Sequence, residues 1–339
     1  MDDEIPSTTQ QTEALILALY EPAPPETIAR IQETLHRLQR APSAWCIARD
    51  LLSYADDKVK FFGALTLIVK LNTERHFQSL LTLNASSSLS VDDISELLQN
   101  LVGWLIESLT NGSSAMVIRK LCSALVTFFL YFPKQWELCI RHLCCSLCEG
   151  VPASQESVLS PVNFSGFLGD ADPRKLHAAV WFCGTLVDEA AKVEMNSATH
   201  SGLYEILMLN VSDAMALMTS AFGCNESSPT FRNVDLRRDV IICLQATFMT
   251  LRDTDSGAQE TIDHAVSHLG PFLAQSIIRN VGGNASRSEL DRLSEPLKKM
   301  VSHHLNARAW LEQALFDPSF PSQQVSREAK LIFLKKVIK

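Results

Sequence analysis

Residues 56–71 read DDKVKFFGALTLIVKL, and the way this stretch folds decides the architecture. On a helix turning about 100° per residue, Phe61, Phe62, Ala64, Leu65, Leu67, Ile68, Val69 and Leu71 cover most of the circumference. Gly63, Thr66 and Lys70 fall in one narrow strip at i, i+3, i+7 spacing. A helix that is apolar nearly all round packs on several sides. The segment is therefore expected between neighbouring helices, with a single polar slot left open. A mid-helix glycine costs roughly 1 kcal/mol relative to alanine, so Gly63 marks a place where something comes close to the backbone, either a docking partner or a crossing helix.

Helical periodicity recurs on both sides of this stretch, and strand alternation is hard to find. The pattern predicts helices near 10–20, 25–40, 43–54, 57–72, 91–110, 114–131, 134–149, 173–193, 198–221, 232–252, 258–279, 287–306, 308–316 and 322–338. Pro24-Pro25-Glu26 and Pro42-Ser43 suit first turns, Ser90 precedes two aspartates in another, and Ser286 with Glu289 reads as a capping box. Asn111-Gly112 and Gly282-Gly283 suit helix ends. The helices fall in pairs, one pair about every 40 to 50 residues, which is the period of two-helix solenoid repeats of the HEAT or armadillo kind. The chain is thus expected to be all-α, with repeats over 1–149, a Ser-, Pro- and Gly-rich exposed loop over 150–172, and further repeats over 173–339.

The second helix of each pair carries a polar strip. Lys120, Ser123 and Thr127 share one side of 114–131 at the same i, i+3, i+7 spacing. His177, Gly184 and Asp188 cluster around Trp181, and Arg238, Gln245 and Arg252 share a side of 232–252. Side by side, such strips would line the inner wall of a curved solenoid. A buried helix must also put its few polar residues somewhere wet, so the strips by themselves do not demand a ligand.

Thirty basic against thirty-eight acidic residues give a formal charge of −8. That balance argues against nucleic-acid binding, which draws its affinity from basic contacts to phosphate, and suits a basic partner. The longest apolar run, 125–132, is too short for a membrane span, and the acidic start lacks a signal-peptide pattern. Nine cysteines, an odd number lying mostly within helical patterns, then fit free buried thiols in a reducing compartment. The Asn-x-Ser/Thr matches at Asn84, Asn111, Asn163, Asn210, Asn225 and Asn284 read as chance without a secretory route. Cys144, Cys145 and Cys148 with nearby His142 offer one CxxC and no second pair, a weak zinc signal. His303-His304 lacks metal-site spacing, and neither a phosphate-binding glycine loop nor a nucleophile elbow is present. Adjacent Asp188 and Glu189 point about 100° apart on a helix and do not form an acid/base pair. No catalytic residue, metal site or cofactor is assigned, and the chain is not expected to be an enzyme. Lys330, Lys335, Lys336 and Lys339 are expected to form a solvated helix face.

TEALILALYEP (12–22), IQETLHRLQRAPSAWCIARDLL (31–52), KVKFFGALTLIVKL (58–71) and RKLCSALVTFFLYFPKQW (119–136) resemble, in order and spacing, the start of the karyopherin-β (importin-β superfamily) nuclear transport receptors. They are most similar to its importin-thirteen and transportin-SR branch. GTLVDEA (184–190) resembles that branch's L-x-x-L-P-E-E segment, with Val187 where proline is usual. The resemblance is specific as far as Ala190 and becomes one of helical pattern beyond Arg252. It implies a right-handed α-solenoid superhelix of HEAT repeats whose amino-terminal inner helices bind the small GTPase Ran in its GTP form. Lys70 and Lys120 match the family's basic positions; Phe62, Gly63, Thr66, Ser123 and Thr127 extend the Ran-binding set by sharing their faces, and Asp188, on the polar side of 173–193, is added to it. The implied partners are RanGTP, protein cargo and nuclear pore FG-repeat proteins, with no direct nucleic acid or membrane contact, and the implied location is both nucleus and cytoplasm. Import is favoured over export or two-way traffic, and a Ran-independent HEAT scaffold is the reading from another class. Receptors of this family are much longer, so an uncapped apolar end and a tendency to associate are expected.

Overall fold

Asp56 starts the central helix: its carboxylate accepts from the Lys58 amide at 2.7 Å, and its carbonyl from the Lys60 amide at 3.1 Å. The resulting helix, α4 (Asp57–Leu81), is one of a series of helices in a computed structural model. The structure describes residues 6, 8–81, 91–160, 164–170, 172–192, 201–222, 233–252, 307–316 and 326–338, with 274, 275, 278, 294, 297 and 298. Among them no strand occurs. The first helices are α1 (Thr9–Ala18), α2 (Pro25–Arg40), α3 (Ala44–Leu52), α4, α5 (Val91–Thr110), α6 (Ala115–Tyr131) and α7 (Cys139–Glu149). Then come α8 (Phe164–Asp170), α9 (Pro173–Ala190), α10 (Ser201–Phe222), α11 (Val234–Arg252), α12 (Ala307–Phe316) and α13 (Arg327–Ile338). The fold is all-α and built of helix pairs of the HEAT kind. The expected helices at 258–279 and 287–306 lie mostly outside the described residues.

The chain forms two compact units. One comprises Met1–Ser160, His177–Thr185 and Met195–Asn210, the other Pro161–Leu176, Leu186–Glu194 and Val211–Lys339. In the first unit the pairs α1/α2, α3/α4 and α5/α6 stack in two layers: α1 touches α3, α3 touches α5 and α5 touches α7, while α2 touches α4 and α4 touches α6. Ile16, Ile31, Leu35, Leu38, Ile47, Leu51 and Val59 form the core between the layers of the first pairs, with Phe62 packed against it. Phe128, Trp136 and Phe182 continue the core further along, with ring centroids 6.1 and 5.6 Å apart. Asn210 is fully buried, accepts from the Cys139 thiol and donates to the Glu137 carbonyl, so its glycosylation motif is not a surface one. In the second unit α12 packs on α13.

The structure corrects several boundaries. α4 runs on to Leu81 rather than stopping near 72. α7 begins at Cys139, because Pro133–Gln135 forms a separate 3-10 turn ahead of it. The segment 150–172, expected as an exposed loop, contains α8, whose Phe164, Phe167 and Leu168 are buried. Its first part is pinned at Ala153, which is 2% exposed. The Ala153 carbonyl accepts from Gln99 (3.1 Å) and from His142 (3.0 Å), and its amide donates to Ser146 Oγ (3.0 Å). Trp136 Nε1 donates to His142 Nδ1 at 3.1 Å, which fixes the ring as the neutral Nε2–H tautomer. Lys330, expected on a solvated face, is 5% exposed and lies 5.9 Å from the Phe316 ring, and burial lowers its pKa.

Two outcomes follow from these contacts. A Cβ at position 63 would meet the Ala48 carbonyl at 3.0 Å and the Leu51 Cβ at 3.1 Å, whereas one at Gly184 would meet nothing within 4 Å. Overpacking costs about 1–3 kcal/mol against a helix-propensity gain of about 1 kcal/mol. Thermal melts should therefore show Gly63→Ala destabilised and Gly184→Ala stabilised. Burial also depresses the His142 pKa from 6.5, against the opposing pull of the Ala153 carbonyl and Glu149. As pH falls below 6.5 the unfolded chain takes a proton that the folded chain refuses. The His142 contribution is thus complete above 6.5 and declines until pH reaches the lower folded value. Melts across that range should show a shallower pH dependence for His142→Gln.

Candidate functional site

The exposed side of α4 is opposite to the side that its polar residues predict. Gly63 is buried against α3. Thr66 is fully buried: its hydroxyl donates to the Phe62 carbonyl at 2.8 Å and accepts from Gln39 of α2 at 3.3 Å. Lys70 is 6% exposed on the same side, and Phe62 is half-buried against the core of the first helices. The Gly63–Thr66–Lys70 strip is therefore a packing surface and not an open slot. A hydroxyl satisfied by its own helix can be buried, and a residue without a side chain is what a close crossing requires. The side left for solvent carries Lys58, Phe61, Leu65, Ile68 and Asn72, with Lys58 and Asn72 exposed and the others half-buried.

On α6 the predicted strip is partly exposed to solvent. Lys120, Ser123 and Thr127 are all half-exposed. The Ser123 hydroxyl donates to the Arg119 carbonyl (3.0 Å) and the Thr127 hydroxyl to the Ser123 carbonyl (2.8 Å), so both are locally satisfied with lone pairs to spare. This face abuts the exposed side of α4. Lys120 Nζ lies 5.4 Å from the centre of the Phe61 ring, and Tyr131 donates to the Asn72 side chain. Beyond it, Arg119 sits 4.7 Å over the Trp181 ring of α9, which also stacks with His177 at a centroid distance of 4.1 Å. At the other end, Lys58 sits 4.5 Å over Tyr20.

The outcome is a row of three cation–ring pairs: Lys58 on Tyr20, Lys120 on Phe61 and Arg119 on Trp181. No Asp or Glu occurs in α6 or between 58 and 73 of α4, so these stretches bring positive charge to the row and no carboxylate. A cation over a ring gains about 0.5–1 kcal/mol at an exposed site, which restrains each long side chain. Phe61, Arg119 and the Lys58–Tyr20 pair were not singled out from the sequence. Arg119 could have been found as the basic neighbour of Lys120, while Phe61 gave no signal on a helix apolar nearly all round.

Asp188 belongs to the second unit and is exposed. Partial desolvation of its carboxyl raises the pKa, with Lys192 acting the other way. On α11, Arg238 is held by Asp235 (3.1 Å) and Asp239 (3.2 Å). The side chains of Gln245 and Arg252 lie outside the described residues. Cys144 and Cys145 are buried and Cys148 is exposed, and burial pushes the Cys145 thiol up to about 11. Both ring nitrogens of His142 are already engaged. Among the described residues no group of His, Cys, Asp and Glu is placed to hold a metal ion, and no helix is long and apolar enough to cross a membrane.

No protein-family model matches the chain. Among curated proteins it is similar to importin beta-like protein kap111 of Schizosaccharomyces pombe, with 44% identity over 70 residues, 20% of this chain and 7% of that protein. It is also similar to importin-13 of Gallus gallus, 32% identical over 79 residues (23% of this chain, 8% of the relative). With importin-13 of Homo sapiens the identity is 30% over 84 residues (24% and 9%). The chain thus matches less than a tenth of the length of each of these relatives. These partial similarities, taken with the stacked helix pairs of the HEAT kind, support a relationship to the importin-β family.

Proposed function

We propose that the chain is the Ran-binding part of a nuclear transport receptor, which takes up Ran in its GTP form on the exposed side of α4, α6 and α9. The observation that carries this reading is the row of ring-seated cations in a chain whose formal charge is −8. An acidic patch on the GTPase would meet Lys58, Lys120 and Arg119 already oriented, so less side-chain freedom is lost on binding. Half-exposed Phe61, Leu65 and Ile68 between them supply apolar area that water leaves on docking. Ser123 and Thr127 lie beside Lys120 and offer hydroxyls to the same partner. Lys70, Thr66 and Gly63 act indirectly, by holding α4 on its neighbours. The receptor carries protein cargo through FG-repeat pore proteins between cytoplasm and nucleus, and RanGTP and cargo are linked through their effects on the same helix pairs.

Immobilised Ran loaded with a non-hydrolysable GTP analogue should retain the chain, and the GDP form should not. Equal retention by both forms overturns the proposal and leaves a Ran-independent HEAT scaffold. Arg119→Glu combined with Lys120→Glu should weaken RanGTP binding about tenfold or more, since two attractions become repulsions. Lys70→Glu should show its effect in the melting temperature, because it places a carboxylate on the buried side of α4.

A further inference from the structure

After α7 the chain is gripped at Ala153 from two helices of the first unit. On α7, Ser146 Oγ accepts from the Ala153 amide and itself donates to the His142 carbonyl, both at 3.0 Å, and His142 Nε2–H donates to the Ala153 carbonyl at 3.0 Å. On α5, Gln99 donates to the same carbonyl, and Pro152 lies beside Gly103, one turn further along. Past Ala153 the chain turns on its own bonds. The Ser157 amide donates to the Ser154 carbonyl (2.8 Å) and the Glu156 amide to Ser154 Oγ (3.3 Å), and residues 154–157 are exposed.

The imidazole is the part of this grip that can change. A second proton can bind only at Nδ1, where the Trp136 Nε1–H already points from 3.1 Å. An imidazolium has two donors and no acceptor, and an indole N–H cannot become an acceptor, so protonation sets two N–H groups against each other in a buried place. Trp136 is wedged between Phe128 and Phe182, with ring centroids 6.1 and 5.6 Å away. The His142 ring has room to give way, because it borders a cavity of about 220 Å3 lined also by Lys134, Glu137, Gln155 and Val158. The surrounding charges do not replace the lost acceptor. Glu149 of α7 favours the cation, exposed Lys134 and Glu137 of the connection before α7 carry opposite signs, exposed Glu156 lies on the gripped segment itself, and α5 brings the neutral Gln99 and Gly103. We propose that His142 is a proton-operated latch: a second proton turns its ring away from the Ala153 carbonyl and frees residues 151–160 from α7 while the helices stay folded. Burial holds the pKa of the latched ring below 6.5. A ring freed into water takes its proton near 6.5, so between the two values each pH unit favours release by up to about tenfold. None of the three ring-seated cations takes part, so the latch does not rest on the Ran-binding reading.

The test is hydrogen–deuterium exchange of the whole 339-residue chain, read by mass spectrometry between about pH 7.5 and about pH 5 and corrected for the intrinsic pH dependence of exchange. Peptides covering 151–160, which contain the Ala153 amide, exchange about tenfold faster at the acid end, and peptides from α4 and α6 keep their rates. His142→Gln, whose amide can donate to the Ala153 carbonyl but takes no second proton in this range, removes the acceleration. The pH series of the parent chain carries the test should that variant not fold. Rates in 151–160 that stay within about twofold down to about pH 5 overturn the proposal. An acceleration shared equally by α4 and α6 also overturns it, as does one that His142→Gln leaves intact.

Discussion

Without a Cβ at position 63, the backbone of α4 can settle against the Ala48 carbonyl and the Leu51 side chain of α3, and that approach decides which side of α4 remains exposed to solvent. Once Gly63 faces α3, the helical repeat turns Thr66, Leu67, Lys70 and Leu71 inward, and all four are buried with it. Thr66 tolerates this because its hydroxyl closes on the Phe62 carbonyl and meets Gln39. The opposite side then carries Phe61, Leu65 and Ile68, and α6 brings Lys120 over the first of them. An apolar surface next to a helix without carboxylates is thus a consequence of one close crossing.

The helices were largely legible in the sequence, because burial on one or several sides leaves a 3.6-residue pattern that survives without tertiary information. The exposed face of α6 was legible for a related reason. Lys120, Ser123 and Thr127 are polar residues on a helix whose remaining surface is occupied by large apolar groups, and Phe128 and Phe129 have to be inside. On α4 the same rule fails. Glycine and threonine count as polar on a helical wheel, yet one has no side chain to solvate and the other satisfies itself within its own helix. A lysine with a long apolar stem does not settle the choice, as Lys60 shows: it is 7% exposed, with its Nζ donating to Ser113. The connection after α7 misleads through composition. Its serines and prolines read as solvent-exposed, but Ala153 is tied down by His142, Ser146 and Gln99, residues whose proximity depends on the packing of α5 and α7.

Two charged features of the first unit lie in different layers. Ring-seated cations lie along α4, α6 and α9, and carboxylates with indoles lie along a groove between α3 and α5. Both features straddle the same boundary, the one between the α3/α4 pair and the α5/α6 pair. Within each pair the two helices are joined by short turns, and the α3/α4 pair is further locked by the Gly63 contact. The two pairs are also tied to each other: α4 packs on α6, Lys60 Nζ donates to Ser113 Oγ at 3.1 Å, and the Ser114 amide donates to the Asp57 carboxylate at 3.4 Å. The helices that carry the cations are thus fixed on one another by the turn that joins α5 to α6 as well as by the Gly63 crossing.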